Sequence, residues 1–174
     1  TVENNSLGIR LYSSDNNLIS NNTCDNNDDG IDIWLSNNNR IENCTAENNV
    51  LVGIWLSASD NNLIKNCTAE NNLRGIDLNR SCNNTLDNNT CANNEWDGIL
   101  LEFDSDNNRI SNNTCENNNF QGIYLDDSDN NRIENNTCKN NGDKGIVLVQ
   151  SQNNLIKNCI ATNNVHGIFF DSYN

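Results

Sequence analysis

Acidic and aromatic residues recur in this 174-residue chain two and four positions after the glycine of a repeated Gly-Ile dipeptide. Residues at both places would point outward from a β-strand, so stacked copies would share one surface. Aromatic rings beside carboxylates suit the ring faces and hydroxyl groups of sugars. The candidate carbohydrate-binding residues are Tyr12, Asp32, Trp34, Trp55, Asp77, Glu102 and Tyr124. The alternative is that the aromatic residues only cover a sheet, a role that their β-propensity favours.

A second group of candidates is acidic and falls at one predicted corner of two adjacent repeats. Its members are Asp104, Asp106, Asp127 and Asp129. Carboxylate oxygens in this number are ligands that Ca²⁺ takes in proteins. The alternative is a solvated acidic turn without a metal, which we favour. We therefore predict no cofactor, and Ca²⁺ is the one candidate ion.

The Gly-Ile dipeptide marks the internal repeat that must position these residues. Its copies begin at Gly8, Gly30, Gly53, Gly75, Gly98, Gly122, Gly145 and Gly167. Successive copies are 22 to 24 residues apart, and so regular a period predicts a solenoid. Apolar residues alternate, as in Ile31 and Ile33, which is typical of strands rather than helices. Each repeat predicts three short strands and three turns, stacked about 4.8 Å apart in parallel sheets.

Asparagine recurs in fixed columns of the repeat. One column contains Asn16, Asn38, Asn61, Asn83, Asn107, Asn130 and Asn153. Asn tolerates left-handed turns, and its amide can bond to the equivalent Asn of the next rung. We therefore predict an all-β, single-stranded parallel β-helix of about 7–8 rungs, forming one domain over 1–174 without terminal caps. The alternative for so polar a composition is a disordered low-complexity chain.

Stacked copies read approximately G-I-x-L-x-x-S-x-N-N-x-I-x-N, followed by Asn-Thr-Cys or Cys-x-Ala. This pattern resembles the right-handed parallel β-helix repeats of the pectate lyase and polygalacturonase superfamily over essentially the whole chain. It is most similar to the carbohydrate-binding and sugar hydrolase type repeats found in archaeal surface proteins. The resemblance implies a right-handed coil and a link to polysaccharides, but it specifies fold more closely than function.

The resemblance also implies where catalytic residues would lie. Polygalacturonases use carboxylates just before and within this strand, and Asp29, Asp97 and His166 occupy similar positions. These residues are three rungs apart each, about 14 Å, whereas glycosidase carboxylates lie within about 5 to 9.5 Å. Only Asp77 and Glu102, on adjacent rungs, could approach that distance. We therefore assign no catalytic residue and favour a protein that is not an enzyme.

The eight cysteines fall into two columns with one exception. One column holds Cys24, Cys91, Cys115 and Cys138, and the other holds Cys44, Cys67 and Cys159. Repeats with Cys in one column have Asn or Ala in the other, which looks like conserved volume at inward positions. We expect free buried thiols, because in-register side chains point the same way and disfavour the disulfide dihedral. The exception, Cys82, falls in a turn and should be the most exposed thiol.

The net charge of −14 argues against nucleic acid or an anionic membrane as a partner. No apolar run approaches the length of a membrane span. Sequons such as those at Asn21 and Asn43 fit an extracellular protein, although most follow from adjacent Asn and Thr columns. We therefore predict an extracellular or cell-surface location.

The predicted end rungs lack polar caps, so apolar core residues would be exposed there. These are Val2, Leu7, Ile9 and Leu11 at one end and Ile168 and Phe170 at the other. Such ends favour head-to-tail stacking of copies, or continuation into flanking rungs of a longer parent chain. We predict first a non-catalytic structural solenoid of a cell surface, sheath or filament. The alternatives are a polysaccharide-binding module and a polysaccharide-degrading hydrolase or lyase domain.

Overall fold

The computed structural model describes residues 1–171, which form 23 β-strands in three parallel sheets and contain no helix. Sheet A consists of β1 (Val2–Glu3), β4 (Thr23–Asp25), β7 (Thr45–Glu47), β10 (Thr68–Glu70), β13 (Thr90–Ala92), β16 (Thr114–Glu116), β19 (Thr137–Lys139) and β22 (Ile160–Thr162). Sheet B consists of β2 (Leu7–Tyr12), β5 (Asp29–Trp34), β8 (Val52–Ser57), β11 (Arg74–Asn79), β14 (Ile99–Glu102), β17 (Ile123–Asp126), β20 (Lys144–Val149) and β23 (His166–Asp171). Sheet C consists of β3 (Leu18–Ser20), β6 (Arg40–Glu42), β9 (Leu63–Lys65), β12 (Thr85–Asp87), β15 (Arg109–Ser111), β18 (Arg132–Glu134) and β21 (Leu155–Lys157).

The chain passes through the three sheets once per turn, so equivalent residues of successive repeats become neighbours. Ile31 of β5 pairs with Ile54 of β8, and Ile54 pairs with Ile76 of β11. The described residues form a parallel β-solenoid of about seven turns. The predicted all-β parallel β-helix is therefore confirmed.

The core is a narrow column of Ile, Leu, Cys and Ala side chains inside the coil. Ile31 and Ile33 are fully buried, as the alternating pattern predicted. Thr68, one residue before the buried Ala69, is only half-buried and belongs to the outward Thr column of sheet A. The inward and outward positions of the repeat are therefore those that the sequence predicts.

The two residues of each Asn-Asn pair have different structural roles. The first Asn of a pair turns the corner in the left-handed region, as Asn71 does with a φ of 56°. The second is buried and forms a ladder along the axis. Asn72, for example, donates its backbone N–H to Asn94 Oδ1 at 3.0 Å and its side-chain Nδ2 to Ala46 O at 3.0 Å. The polar amides thus satisfy buried backbone groups that an apolar side chain would leave unpaired.

The recurring glycine is required by close packing and not by its backbone angle. None of the glycines in residues 1–171 has a positive φ. A Cβ placed on Gly30 would lie 2.5 Å from Gly53 O and 3.0 Å from Ala46 Cβ. Any larger residue would push adjacent rungs apart, so Gly marks the start of each long strand.

The cysteines of residues 1–171 are free thiols, and all of them except Cys82 and Cys159 are buried. Cys67 takes the place of a ladder Asn: its N–H donates to Asn89 Oδ1, and its thiol donates to Lys65 O at 3.3 Å. Burial raises the pKa of the Cys24 thiol to about 11, which keeps it unreactive near neutral pH. Cys82 is more accessible, but it is only partly exposed because its thiol donates to Asp104 O.

Apolar side chains are less well covered on the first and last described rungs. Ile168 is 44% exposed and Phe170 is 65% exposed. At the opposite end the corresponding side chains are half-buried, and these are Val2, Leu7, Ile9 and Leu11. Within residues 1–171, no helix is long and apolar enough to cross a membrane.

Candidate functional site

Sheet B carries a central outward column with one residue per rung. This column runs through Arg10, Asp32, Trp55, Asp77, Leu100, Tyr124, Val147 and Phe169. An outer column lies two residues further along each strand and includes Tyr12, Trp34, Ser57, Asn79 and Glu102. The structure therefore brings all seven predicted carbohydrate-binding residues onto one face.

The middle of this face has an acid–aromatic–acid order. Asp32, Trp55 and Asp77 are direct neighbours on β5, β8 and β11. Oδ2 of Asp32 lies 3.2 Å from Nε of Arg10. Oδ2 of Asp77 lies 2.9 Å from Nη1 of Arg74. The half-buried Trp55 ring therefore lies between two carboxyl groups, and each carboxyl group has an arginine on one of its oxygens.

The two carboxyl groups are less exposed than outward positions would suggest. Asp32 and Asp77 are each 2% exposed, because side chains of this face, including their arginine partners, lie against them. Within residues 1–171, six buried side-chain polar atoms lack a hydrogen-bond partner, and four of them lie on this face of sheet B. They are Oδ1 of Asp32, Oδ1 of Asp77, Nε of Arg74 and Oε1 of Gln121. Buried polar atoms are normally paired, so such a concentration marks a place where a ligand or water is expected.

The pKa of Asp77 is raised to near neutral pH. Burial raises the pKa of Asp77 to about 7, and the negative charges of Glu102 and Asp97 add to the effect. The ion pair with Arg74 opposes it without cancelling it. A carboxyl group that titrates near pH 7 in a cleft is a candidate functional group.

Burial also raises the pKa values of Asp32 and of the nearby Asp29. Burial raises the pKa of Asp32 to about 6, against the opposing charge of Arg10 and with a small addition from Asp29. Burial also raises the pKa of Asp29, although its Oδ1 accepts the backbone N–H of Val52 at 3.1 Å. The face thus contains several carboxyl groups that resist ionisation.

Two grooves run along the face and meet at Trp55. The first has a volume of about 240 Å³ and is lined by Asp29, Leu51, Val52, Trp55, Leu73, Arg74, Asp77, Asn79 and Glu102. The second has a volume of about 570 Å³ and is lined by Ser6, Leu7, Arg10, Asp29, Asp32, Trp34, Trp55, Ser57, Ala58 and Arg80. Because Asp29 and Trp55 line both, the two form one open trough along the solenoid axis.

Aromatic rings border the trough and engage its arginines. The rings of Tyr12 and Trp34 meet edge to face at 5.2 Å between centroids. The guanidinium of Arg10 lies 5.1 Å from the Trp34 centroid, and that of Arg74 lies 4.9 Å from the Trp96 centroid. Each of these two cations is therefore held by a carboxylate and by a π face.

Residues 1–85 and 70–174 match the family model described as a right handed beta helix region. The chain belongs to the right-handed β-helix family. The resemblance seen in the repeat, including the hand of the coil, is thereby confirmed. A comparison with curated proteins gave no match.

Solved structures with the same fold include two epimerases and a phage protein. The periplasmic alginate epimerase AlgG has 22% identity and a TM-score of 0.78, over 98% of this β-helix and 48% of that chain. The Azotobacter vinelandii mannuronan C-5 epimerase AlgE6 A-module has 18% identity and a TM-score of 0.68, over 97% and 58% of the two chains. The tailspike protein gp49 from Pseudomonas phage LKA1 has 17% identity and a TM-score of 0.56, over 97% and 31%. At these identities the likeness shows the fold alone, and this chain spans about half of AlgG.

Carboxylates of the acidic corner of this β-helix accept hydrogen bonds from backbone groups of neighbouring rungs. Asp106 Oδ1 accepts the N–H of Asp129 at 2.6 Å, and Asp129 Oδ1 in turn accepts the N–H of Gln152. Asp104 and Asp127 are joined through their backbones. In the part of the chain that the structure describes, no group of three or more His, Cys, Asp or Glu side chains could hold a metal ion. The four predicted calcium ligands thus face each other in pairs on adjacent rungs, and calcium binding at this corner stays a prediction.

The polygalacturonase-like positions of this β-helix are separated along the axis. Asp29 is followed on successive rungs by Val52, Arg74 and then Asp97, which places the two carboxyl groups three rungs apart. His166 lies at the far end on β23, where its Nδ1 is 3.6 Å from an oxygen of Asp143. The structure does not bring these residues into one cluster.

Two features of this β-helix were missed in the sequence. Trp96 and Phe120 are 41% and 50% exposed in turns that precede sheet B, and together they line a further groove. A fourth groove, of about 350 Å³ near the last rung, is lined by residues that include Lys144, His166 and Phe169. The sequence signal in both cases is an aromatic or basic residue in a turn or in the column just before the glycine.

Proposed function

We propose that this β-helix binds an extended polysaccharide along the trough of sheet B. The observation that carries the proposal is the Trp55 ring, which lies between two carboxyl groups that each have an oxygen without a partner. A sugar ring can stack on an indole while its hydroxyl groups bond to the polar atoms at either side. The trough is open and elongated, which suits a polymer better than a small enclosed ligand.

The comparisons support a polysaccharide as the ligand without identifying it. AlgG is titled an alginate epimerase, and the AlgE6 module is titled a mannuronan C-5 epimerase. Those proteins have the same fold, and one of them is periplasmic, which agrees with our proposal of an extracellular or cell-surface location. We assign no reaction to this chain, and binding is the function that its geometry supports.

Replacing Trp55 with Ala should weaken glycan binding about tenfold or more, because the stacking surface contributes roughly 1 to 2 kcal/mol. Binding would be found on a glycan array and then measured by isothermal titration with the best ligand. Phe120→Ala is the matched control, because it removes an exposed ring outside the central column. Equal losses in the two variants, or no glycan bound by the native chain, would contradict the proposal.

A second candidate function is end-to-end association, as in a sheath, filament or surface layer. The observation that favours it is the exposure of Ile168 and Phe170 on the last described rung. A second copy could cover them with the rung that contains Val2, Leu7, Ile9 and Leu11, and so extend all three sheets. Flanking rungs of a longer parent chain would cover the same surface.

If copies stack, the apparent mass of the native chain should rise with concentration in static light scattering. Ile168→Lys should remain monomeric, because it charges the apolar end of the core column. Val165→Lys is the control, since Val165 is 68% exposed in the turn before the same strand and should not affect stacking. A native chain that stays monomeric at high concentration while its circular dichroism shows a folded state would leave stacking without support.

A further inference from the structure

We propose that Asp32, Trp55 and Asp77 form a subsite for the protonated amine of an amino sugar. The trough would accordingly prefer a polymer of hexosamines with free amines to a polymer of uronic acids. This inference rests on the proposed polysaccharide binding and adds the chemical class of the ligand. Its basis is that, within the described residues, the carboxyl groups beside the Trp55 ring have oxygens without a hydrogen-bond partner.

The two carboxyl groups of the subsite each have a buried oxygen without a hydrogen-bond partner in the part of the chain that the structure describes. Oδ1 of Asp32 and Oδ1 of Asp77 have no partner among residues 1–171, while each Oδ2 is held by an arginine. Both side chains are almost fully buried, yet both line the trough. A ligand that donates hydrogen bonds and carries positive charge would satisfy either oxygen, and one ammonium group would bond to one of them at a time because the two carboxyl groups are two rungs apart.

Trp55 strengthens the preference for a cation. Its ring lies one rung from each carboxyl group, and adjacent parallel strands are about 4.8 Å apart. An ammonium group over this ring would lie about one rung from each carboxyl group and would face the electron-rich surface of the indole. A neutral acetamido group would lose the charge attraction, and a uronate would be repelled.

Two of the three arginines that line the trough are already engaged by carboxyl groups. Arg10 and Arg74 each have a carboxylate on one side and an aromatic ring nearby. Nε of Arg74 is a buried donor without a partner among residues 1–171, and a hydroxyl oxygen next to the amine could accept from it. The chain as a whole carries a net charge of −14, which further disfavours a polyuronate.

The subsite should release protons when an amine binds. Burial raises the pKa of Asp77 to about 7 and that of Asp32 to about 6, so both are largely protonated at a slightly acidic pH. The charged groups that face them are Arg74, Glu102 and Asp97 around Asp77, and Arg10 and Asp29 around Asp32. An added ammonium would favour the ionised carboxylates, and the displaced protons would enter the buffer.

The test uses two ligands that differ only in acetylation, a glucosamine hexamer and an N-acetylglucosamine hexamer. Isothermal titration at about pH 5.5, where amines are charged, would be run in two buffers of different ionisation enthalpy. We expect the glucosamine hexamer to bind at least about tenfold more tightly to the native chain, with net proton release. In Asp77→Asn the preference should fall below about threefold and the proton release should shrink.

Asp126→Asn is the matched control, because it removes a more exposed carboxylate from the outer column of the same sheet. It should keep both the preference and the proton release. Equal binding of the two hexamers to the native chain would overturn the amine subsite, and so would a lysine hexamer that binds as tightly as the glucosamine hexamer. If the acetylated ligand or another neutral glycan still bound in a Trp55-dependent way, the proposed function would stand and only this inference would fail.

Discussion

Replacing Ile76 with Asp should unfold the middle of the solenoid at temperatures where the native chain is stable. Ile76 is fully buried, and its neighbours in the column are Ile54 and Ile99. The substitution leaves a cavity and buries a charge without a partner, which together cost on the order of 5 kcal/mol or more. Because domains of this size are stable by only about 5–15 kcal/mol, one such change removes much of the total.

Thr68→Ala provides the comparison for Ile76→Asp. Thr68 is half-buried on the outer side of sheet A and pairs with Thr45 and Thr90. Its truncation should change the free energy of unfolding by less than about 1 kcal/mol. Thermal melts followed by circular dichroism would measure both variants. Equal melting temperatures would refute the assignment of inward and outward positions.

The sequence was sufficient to predict the architecture because a solenoid repeats one structural unit many times. A period of 22 to 24 residues sets the length of a turn. The alternation at Ile31 and Ile33 then fixes which side chains enter the core. Once successive repeats are placed in register, the neighbours of every residue follow without further information. The columns of sheet B were predicted in this way and are those that the structure shows.

Other details depend on contacts that no repeat pattern contains. The glycine column marks the repeat in the sequence, but the reason that glycine is needed is the close approach of Gly53 O and Ala46 to Gly30. The corner after sheet B places Leu35 and Phe103 in the left-handed region, with φ of 51° and 55°, although neither residue type favours it. Backbone continuity between rungs imposes these conformations, so residue preference alone gives no sign of them.

The candidate site was predicted in its positions but not in its electrostatics. Asp77 was expected on an exposed face, whereas it is 2% exposed beside Arg74 and beneath the trough. Asp77 is buried because long side chains, from the column before the glycine and from the turns, lie across the central column. Such rotamers are set by neighbours on several rungs, so the raised pKa of Asp77 could not be derived from spacing.

The stability of the chain should fall as the pH rises from about 4 to about 8, and Asp77 should account for a large part of the change. Its pKa is raised from 3.8 in the unfolded chain to about 7 in the folded state. Below pH 4 the carboxyl group is protonated in both states, and its contribution is fully present. As the pH rises, the unfolded chain ionises first, so folding loses up to about 4 kcal/mol by pH 8.

Asp32 adds to this loss in a lower part of the same range, because burial raises its pKa to about 6. Asp87 acts in the opposite direction, since hydrogen bonds, above all from Asn112, lower its pKa. Its contribution is lost only as the pH falls below the ordinary range of an Asp, which lies outside the window in which Asp77 titrates. The contribution of Asp87 therefore does not overlap with that of the buried carboxyl groups of sheet B between about pH 4 and pH 8.

Urea denaturation of the native chain and of Asp77→Asn at a series of pH values would measure this effect. The loss of the Arg74 ion pair can shift the whole curve of the variant, so the readout is the change in slope rather than the stability at one pH. We expect the curve of Asp77→Asn to be flatter by about 3 to 4 kcal/mol between pH 4 and 8. Asp126→Asn removes one negative charge, as Asp77→Asn does, but from a more exposed position. The two variants therefore lower the general charge repulsion by the same amount, and the curve of Asp126→Asn should run parallel to that of the native chain. Parallel curves for all three proteins would mean that Asp77 ionises normally in the folded chain, and a buried, protonated carboxyl group beside Trp55 would then be ruled out.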